Sequence, residues 1–143
     1  MSACPGIKIN AKILVIDDDN KATELLKLNL ESYGFNVVTA TGGREGLDKA
    51  FSEPPDAIIL DVRMPVLNGW QVCERLKKDP RTEAIPLIFF TAYSQKTDFE
   101  KSKKLGADLF LTKPLDTEEL VQKIKGILVN ENKELLKGDT KDL

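Results

Sequence analysis

Asp56-Ala57-Ile58-Ile59-Leu60-Asp61-Val62-Arg63-Met64-Pro65-Val66-Leu67-Asn68-Gly69 is the stretch from which the rest of the chain can be read. Its apolar run, Ala57 to Leu60, is too short for a helix and has turn signals on both sides, so it reads as a buried strand. Pro65 and Gly69 then break the chain before a helical pattern begins at Trp70. Asp61 therefore falls at the C-terminal end of an interior strand, where open α/β sheets place their ligands. One aspartate after a strand is, on its own, most often a turn former. The residues on either side of this stretch decide otherwise.

Upstream, Lys12-Ile13-Leu14-Val15-Ile16 is a second apolar run, and it ends in Asp17-Asp18-Asp19-Asn20. A helix is expected from about Asn20 to Tyr33, with Leu25, Leu26, Leu30 and Tyr33 at roughly helical spacing and Gly34 as its stop. Asn36 to Thr39 reads as a short strand. Gly42-Gly43 opens a helix with Leu47, Ala50 and Phe51 on one face, ended by Pro54-Pro55. Downstream, Asn68 to Lys78 is a helix with Val72, Cys73 and Leu76 inward. Pro86 to Thr91 is a fourth strand, again apolar and again ending in a polar residue. Ser94 to Leu105 is a weaker helix rich in lysine (Lys96, Lys101, Lys103, Lys104), stopped by Gly106. Asp108 to Thr112 is a fifth strand, stopped by Lys113-Pro114. The last helix starts at Asp116-Thr117-Glu118-Glu119, with acids in its first turn, and turns Leu120, Val121, Ile124, Ile127 and Leu128 inward.

Strand and helix thus alternate five times, which implies an α/β fold with a doubly wound parallel sheet and helices on both faces. Right-handed crossovers put all C-terminal strand ends on one edge, so Asp17, Asp18, Asp61, Thr91 and Lys113 should converge there. Residues 1–10 read as a loose leader, 11–129 as one domain, and 130–143 as a polar tail expected to extend the last helix. One domain suits a chain of 143 residues.

Composition narrows the chemistry. Hydrophobic residues at 41% and charged residues at 31% are ordinary for a globular protein. A formal net charge of -2 leaves no general basic footprint, so direct nucleic-acid binding is not expected. No run approaches membrane-spanning length. Cys4 and Cys73 make neither a disulfide framework nor a metal spacing, and a cytoplasmic location fits. Cys73 reads as a packing residue. The chain has no histidine, which excludes histidine acid–base catalysis, histidine metal ligands and a phosphohistidine on this chain.

Clustered carboxylates repel, so one of them should hold its proton more tightly unless a cation is bound. Hard oxygen ligands with room for water suit Mg2+. A lysine ammonium suits a phosphoryl oxygen, and a threonine hydroxyl can donate to another. Together these groups suit phosphoryl transfer, in which a carboxylate can itself be the nucleophile. Any one of them alone would be a cap, a strand residue or a surface charge. Five of them at the ends of four strands are hard to explain that way.

The sequence resembles the receiver domains of two-component response regulators. The matching pieces are Ile13-Leu14-Val15-Ile16-Asp17-Asp18, Asp61-Val62-Arg63-Met64-Pro65 with Gly69, Thr91-Ala92, Gly106-Ala107 and Lys113-Pro114, over about Lys12 to Val129. The resemblance implies a flavodoxin-like (βα)5 fold with strand order 2-1-3-4-5, the order of the CheY-like chemotaxis receivers. It implies Asp61 as phosphoacceptor, and Asp17, Asp18, Asp61 and the backbone carbonyl of Arg63 as Mg2+ ligands. Lys113 and Thr91 would contact the phosphoryl group, and Thr91 with Phe110 would form the switch. Arg63 and Tyr93 occupy positions that tune phosphoryl lifetime, and the Lys113–Pro114 bond is cis. Asp19 is read instead as a helix N-cap. The implied protein is a signalling switch rather than an enzyme. It would be charged by a histidine kinase or histidine phosphotransfer protein and read by a partner at the fourth helix, fifth strand and fifth helix.

Two other readings share these residues. A haloacid-dehalogenase-like phosphatase would carry its nucleophile in the first strand, but Lys21 stands where that motif has threonine or valine. A receiver-like module that only binds, unphosphorylated, would not need the intact set of acids, threonine and lysine. An EF-hand reading of the aspartate run fails because Ala22 occupies the glycine position.

Overall fold

Alternating side chains on each strand feed two separate apolar layers, and this builds the sheet. The strands are Lys12–Ile16 (β1), Asn36–Ala40 (β2), Ala57–Leu60 (β3), Leu87–Thr91 (β4) and Leu109–Thr112 (β5). The helices are Asn20–Glu31 (α1), Gly43–Ser52 (α2), Gly69–Lys77 (α3), Lys96–Lys104 (α4) and Thr117–Lys137 (α5). The computed structural model describes residues 10–92 and 95–137, with side chains through 129. Residues 1–9 of the expected 1–10 leader, Cys4 among them, Tyr93, Ser94 and residues 138–143 of the expected tail lie outside them.

All strand pairs are parallel, in the order β2-β1-β3-β4-β5, as expected. Leu14, Ile16, Ile58, Leu60, Leu87 and Phe89 face one layer, roofed by α2 and α3. Ile13, Val15, Ala57, Ile59, Ile88 and Phe90 face the other, roofed by α1 and α5 through Leu30, Leu120, Val121, Ile124 and Leu128. β1, β3 and β4 are therefore buried on both faces, which is why they read as unbroken apolar runs instead of alternating ones. Each such side chain contributes about 1.5–3 kcal/mol of burial. β5 is different. It is an edge strand, and Leu109, Phe110 and Leu111 are only half-buried.

The phase of α1 differs from the expected one. Leu25 and Tyr33 are 60% and 45% exposed, and the inward stripe is Thr23, Leu26 and Leu30. Several leucines crowded within two turns fit more than one helical phase, and packing on the sheet selects this one. Buried Thr23 stays satisfied by donating to the Asn20 carbonyl at 2.9 Å.

Local chemistry sets the helix starts. The Asp19 carboxylate accepts from the Ala22 N–H at 3.1 Å and caps α1, as expected of it. At α3 the Asn68 side chain accepts from the Gln71 N–H at 3.0 Å, and Gln71 returns a bond to the Asn68 N–H at 2.9 Å.

Candidate functional site

Backbone hydrogen bonds continue the parallel ladder one residue past the strands, and they bring the site together. Asp17 N–H donates to the Ala40 carbonyl at 3.1 Å, Asp61 N–H to Ile16 at 3.0 Å, and Lys113 N–H to Thr91 at 2.8 Å. Residues from β1, β3, β4 and β5 are thereby locked side by side at the C-terminal edge of the sheet. Carboxylate oxygens of Asp17, Asp18 and Asp61 lie within 4.8 Å of one another. Asp17 is buried, Asp61 half-buried and Asp18 exposed, so the cluster opens to solvent on one side. Thr91 is buried beneath it.

Each oxygen of Asp17 has a partner. One accepts from the Asp19 N–H at 3.0 Å, and the other from the Lys113 ammonium at 2.8 Å. Lys113 thus serves as the cation of the acidic cluster. Its ammonium also stands 5.5 Å from the centre of the Phe90 ring. Asp61 accepts from the Val62 N–H at 2.8 Å. Burial, and then the neighbouring Asp17 charge, raise the Asp61 carboxyl above its ordinary range. Lys113, the Thr91 hydroxyl and the Val62 N–H work in the opposite direction. The sequence led us to expect one carboxyl with a raised pKa, and that carboxyl is Asp61.

The loop after Asp61 is tightly folded. The Gly69 N–H donates back to the Val62 carbonyl at 2.8 Å. Val66, between the two, has φ +69° and is 97% exposed. A β-branched residue in this region carries strain of about 1–3 kcal/mol. Neither feature was legible in residue types, except that glycine at position 69 permits the close approach. Arg63 is exposed and, with Met64, Pro65, Asn68, Trp70 and Asp98, lines a polar cleft of about 490 Å³ beside the loop. A second, mainly apolar cavity of about 240 Å³ runs from Asp17, Asp61 and Lys113 down between α1 and α5.

Phe110 lies against Phe89, with ring centres 6.2 Å apart, and against Phe99 at 6.3 Å. The Lys113–Pro114 peptide is cis. Tyr93 lies outside the described residues. Cys73 is buried, its thiol pushed up to about 11 by that burial, which suits a packing residue. No helix among the described residues is long and apolar enough to cross a membrane.

The family model of the response regulator receiver domain matches residues 13–125. The chain belongs to the response-regulator receiver family. Protein PilH of Pseudomonas aeruginosa is 42% identical over 120 residues, covering 82% of this chain and 98% of PilH. The alkaline phosphatase synthesis transcriptional regulatory protein PhoP of Bacillus subtilis is 41% identical over 120 residues, covering 84% of this chain and 49% of PhoP. The receiver thus spans about half the length of several curated relatives, PhoP among them, and nearly all of PilH. The crystal structure of a CheY-like receiver domain protein from Methanospirillum hungatei superposes with a TM-score of 0.82 at 30% identity, over 87% of this chain and 98% of that one. Receivers are phosphorylation-dependent signalling switches of two-component systems, not conventional enzymes, and they interact with kinases or phosphotransfer proteins.

Proposed function

We propose that Asp61 is the phosphoacceptor of this receiver, charged by a histidine kinase or histidine phosphotransfer protein. The observation that carries this reading is the meeting of three carboxylates within 4.8 Å beside the Lys113 ammonium. An Asp61 oxygen attacks phosphorus, the phosphorus–nitrogen bond of the donor breaks, and the imidazole leaves with the electron pair. Lys113 offers a positive charge to the transferring oxygens, and the Thr91 hydroxyl, which already favours the Asp61 carboxylate, can donate to one of them. Asp17, Asp18, Asp61 and the Arg63 carbonyl would hold Mg2+, and a set of hard oxygens with an open side fits that ion. The ion would neutralise charge on the phosphoryl group and the acids. The same reading takes residues 11–129 as the receiver domain and the tail as a prolongation of α5. It places the protein in the cytoplasm, with protein partners rather than nucleic acid.

Labelling with acetyl phosphate and Mg2+ followed by peptide mapping tests this reading. The expected product is one phosphoryl group on Asp61. A label on Asp17 would favour the phosphatase chemistry, and no label would favour a module that only binds.

The metal ligands make a separate prediction. Lys113 occupies an Asp17 oxygen, so an arriving Mg2+ must compete with it. Asp18→Ala should weaken Mg2+ binding about tenfold, whereas Lys113→Met should tighten it several-fold. A Mg2+ titration followed by Trp70 fluorescence reads both. Equal affinity in wild type and Asp18→Ala would remove Asp18 from the ligand set.

Output is proposed to pass from Thr91 through Phe110 to the surface of α4, β5 and α5, where the partner docks. Thr91→Ala should still accept phosphate on Asp61 but lose the response at Phe110. NMR shifts of Phe110 with and without a phosphoryl mimic distinguish the two cases, and equal responses in both proteins would refute the coupling. Arg63 and Tyr93 are proposed to set phosphoryl lifetime.

A further inference from the structure

α4 is held to the rest of the receiver by unusual contacts. Its sequence, Lys96-Thr97-Asp98-Phe99-Glu100-Lys101-Ser102-Lys103-Lys104, has one large apolar side chain, Phe99, and that is 47% exposed. Only Ser102 is buried, and its hydroxyl donates within the helix, to the Phe99 carbonyl at 2.7 Å. The hydrophobic burial that anchors α1, α2, α3 and α5 is therefore nearly missing. Ring contacts take its place. The Lys101 ammonium stands 4.9 Å from the centre of the Trp70 ring on α3, and the Phe99 ring meets Phe110 of β5 edge-on at 6.3 Å.

Both contacts lead to one buried ring. Trp70 and Phe110 pack on Phe89 from two sides, with centres 4.9 Å and 6.2 Å away. Phe89 is fully buried on β4, two residues before Thr91. A displacement of Thr91 along β4 therefore bears on the platform that carries both of these ring contacts of α4. Trp70 and Asp98 also form part of the wall of the cleft beside the acceptor loop, so loosening α4 widens that cleft.

We propose that Lys101 is a latch: its cation–π contact with Trp70 holds α4 against α3, and phosphorylation at Asp61 releases it. The first half stands on the geometry alone, and the second rests on the acceptor role proposed above. A cation over an indole at an exposed site is worth roughly a two- to fivefold shift in an equilibrium. That is small for a folded domain but large for a helix that, among the described residues, has few other contacts besides Leu105 at its end.

The test uses the whole chain, in which Trp70 is the only tryptophan. Wild type, Lys101→Met and Lys101→Arg are compared by acrylamide quenching of Trp70 and by amide hydrogen exchange of α4, each with and without beryllofluoride and Mg2+. Lys101→Met removes the charge and keeps the length. It should raise quenching and speed α4 exchange roughly two- to fivefold, with α1 and α5 unchanged, and Lys101→Arg should restore wild-type behaviour. Beryllofluoride should move wild type toward Lys101→Met and move Lys101→Met little further. Identical α4 exchange in wild type and Lys101→Met overturns the latch. A latch present in the free protein but unmoved by beryllofluoride, in a receiver that labels normally on Asp61, overturns its release by phosphorylation. A receiver that does not label on Asp61 overturns the acceptor role and the release that rests on it, while the comparison of free proteins still decides whether Lys101 holds α4.

Discussion

Asp61→Asn should lose phosphoryl uptake from acetyl phosphate by more than about a hundredfold and yet unfold less readily than wild type. The loss follows from replacing the attacking carboxylate by an amide, a far weaker nucleophile. The gain follows from the environment of Asp61. Burial and the Asp17 charge raise its carboxyl above the usual range, so the folded protein binds that proton more tightly than the unfolded chain. The stability associated with this group is therefore complete below the unfolded pKa and is lost as pH rises through the folded one. At neutral pH the ionised carboxylate opposes folding. An amide keeps an oxygen for the Val62 N–H, which now donates at 2.8 Å, and carries no charge toward Asp17. Allowing for solvent screening at a half-open site, the stabilisation should be about 1 kcal/mol. Urea denaturation of both proteins at pH 7 measures it, and the difference should vanish below the ordinary carboxyl range. A variant that is inert and also less stable would mean that Asp61 is not the strained acid. An Asn variant that labels as fully as wild type would remove it as the acceptor.

The second large effect is expected at Gly69. A Cβ built there would overlap the Asp61 carbonyl oxygen and lie 2.8 Å from the Val62 Cα. These are backbone atoms, and the Val62 carbonyl is already bonded to the Gly69 N–H at 2.8 Å. Neither side can give way without opening the loop that positions Asp61. Gly69→Ala should therefore cost about 2–3 kcal/mol and slow labelling of Asp61 as well. Gly126 is the control. It lies in the interior of α5, and a Cβ there meets nothing within 4 Å. Gly126→Ala should stabilise the protein by roughly 0.5–1 kcal/mol through helix propensity alone. If the two variants unfold at the same urea concentration, close approach at Gly69 is not what constrains the loop.

The architecture was already legible in the order of residue types, and so were the polar residues that meet at one edge of the sheet. Unbroken apolar runs alternating with helical patterns leave little besides a doubly wound parallel sheet. In such a sheet, crossover handedness carries every strand's C-terminal end to one edge. Asp17, Asp18, Asp61, Thr91 and Lys113 were legible for that reason, without any distance being known. Which of these groups touch follows from packing alone. Lys113 takes an oxygen of Asp17, 96 residues away, and that choice depends on how β1 and β5 sit across β3 and β4. The inward phase of α1 was likewise settled by packing, since crowded leucines fit more than one stripe. The resting place of Lys101 on Trp70 joins two helices whose local patterns say nothing about each other. Periodicity is a property of neighbours along the chain, whereas a partner for a side chain is fixed only when distant segments are brought within a few ångströms.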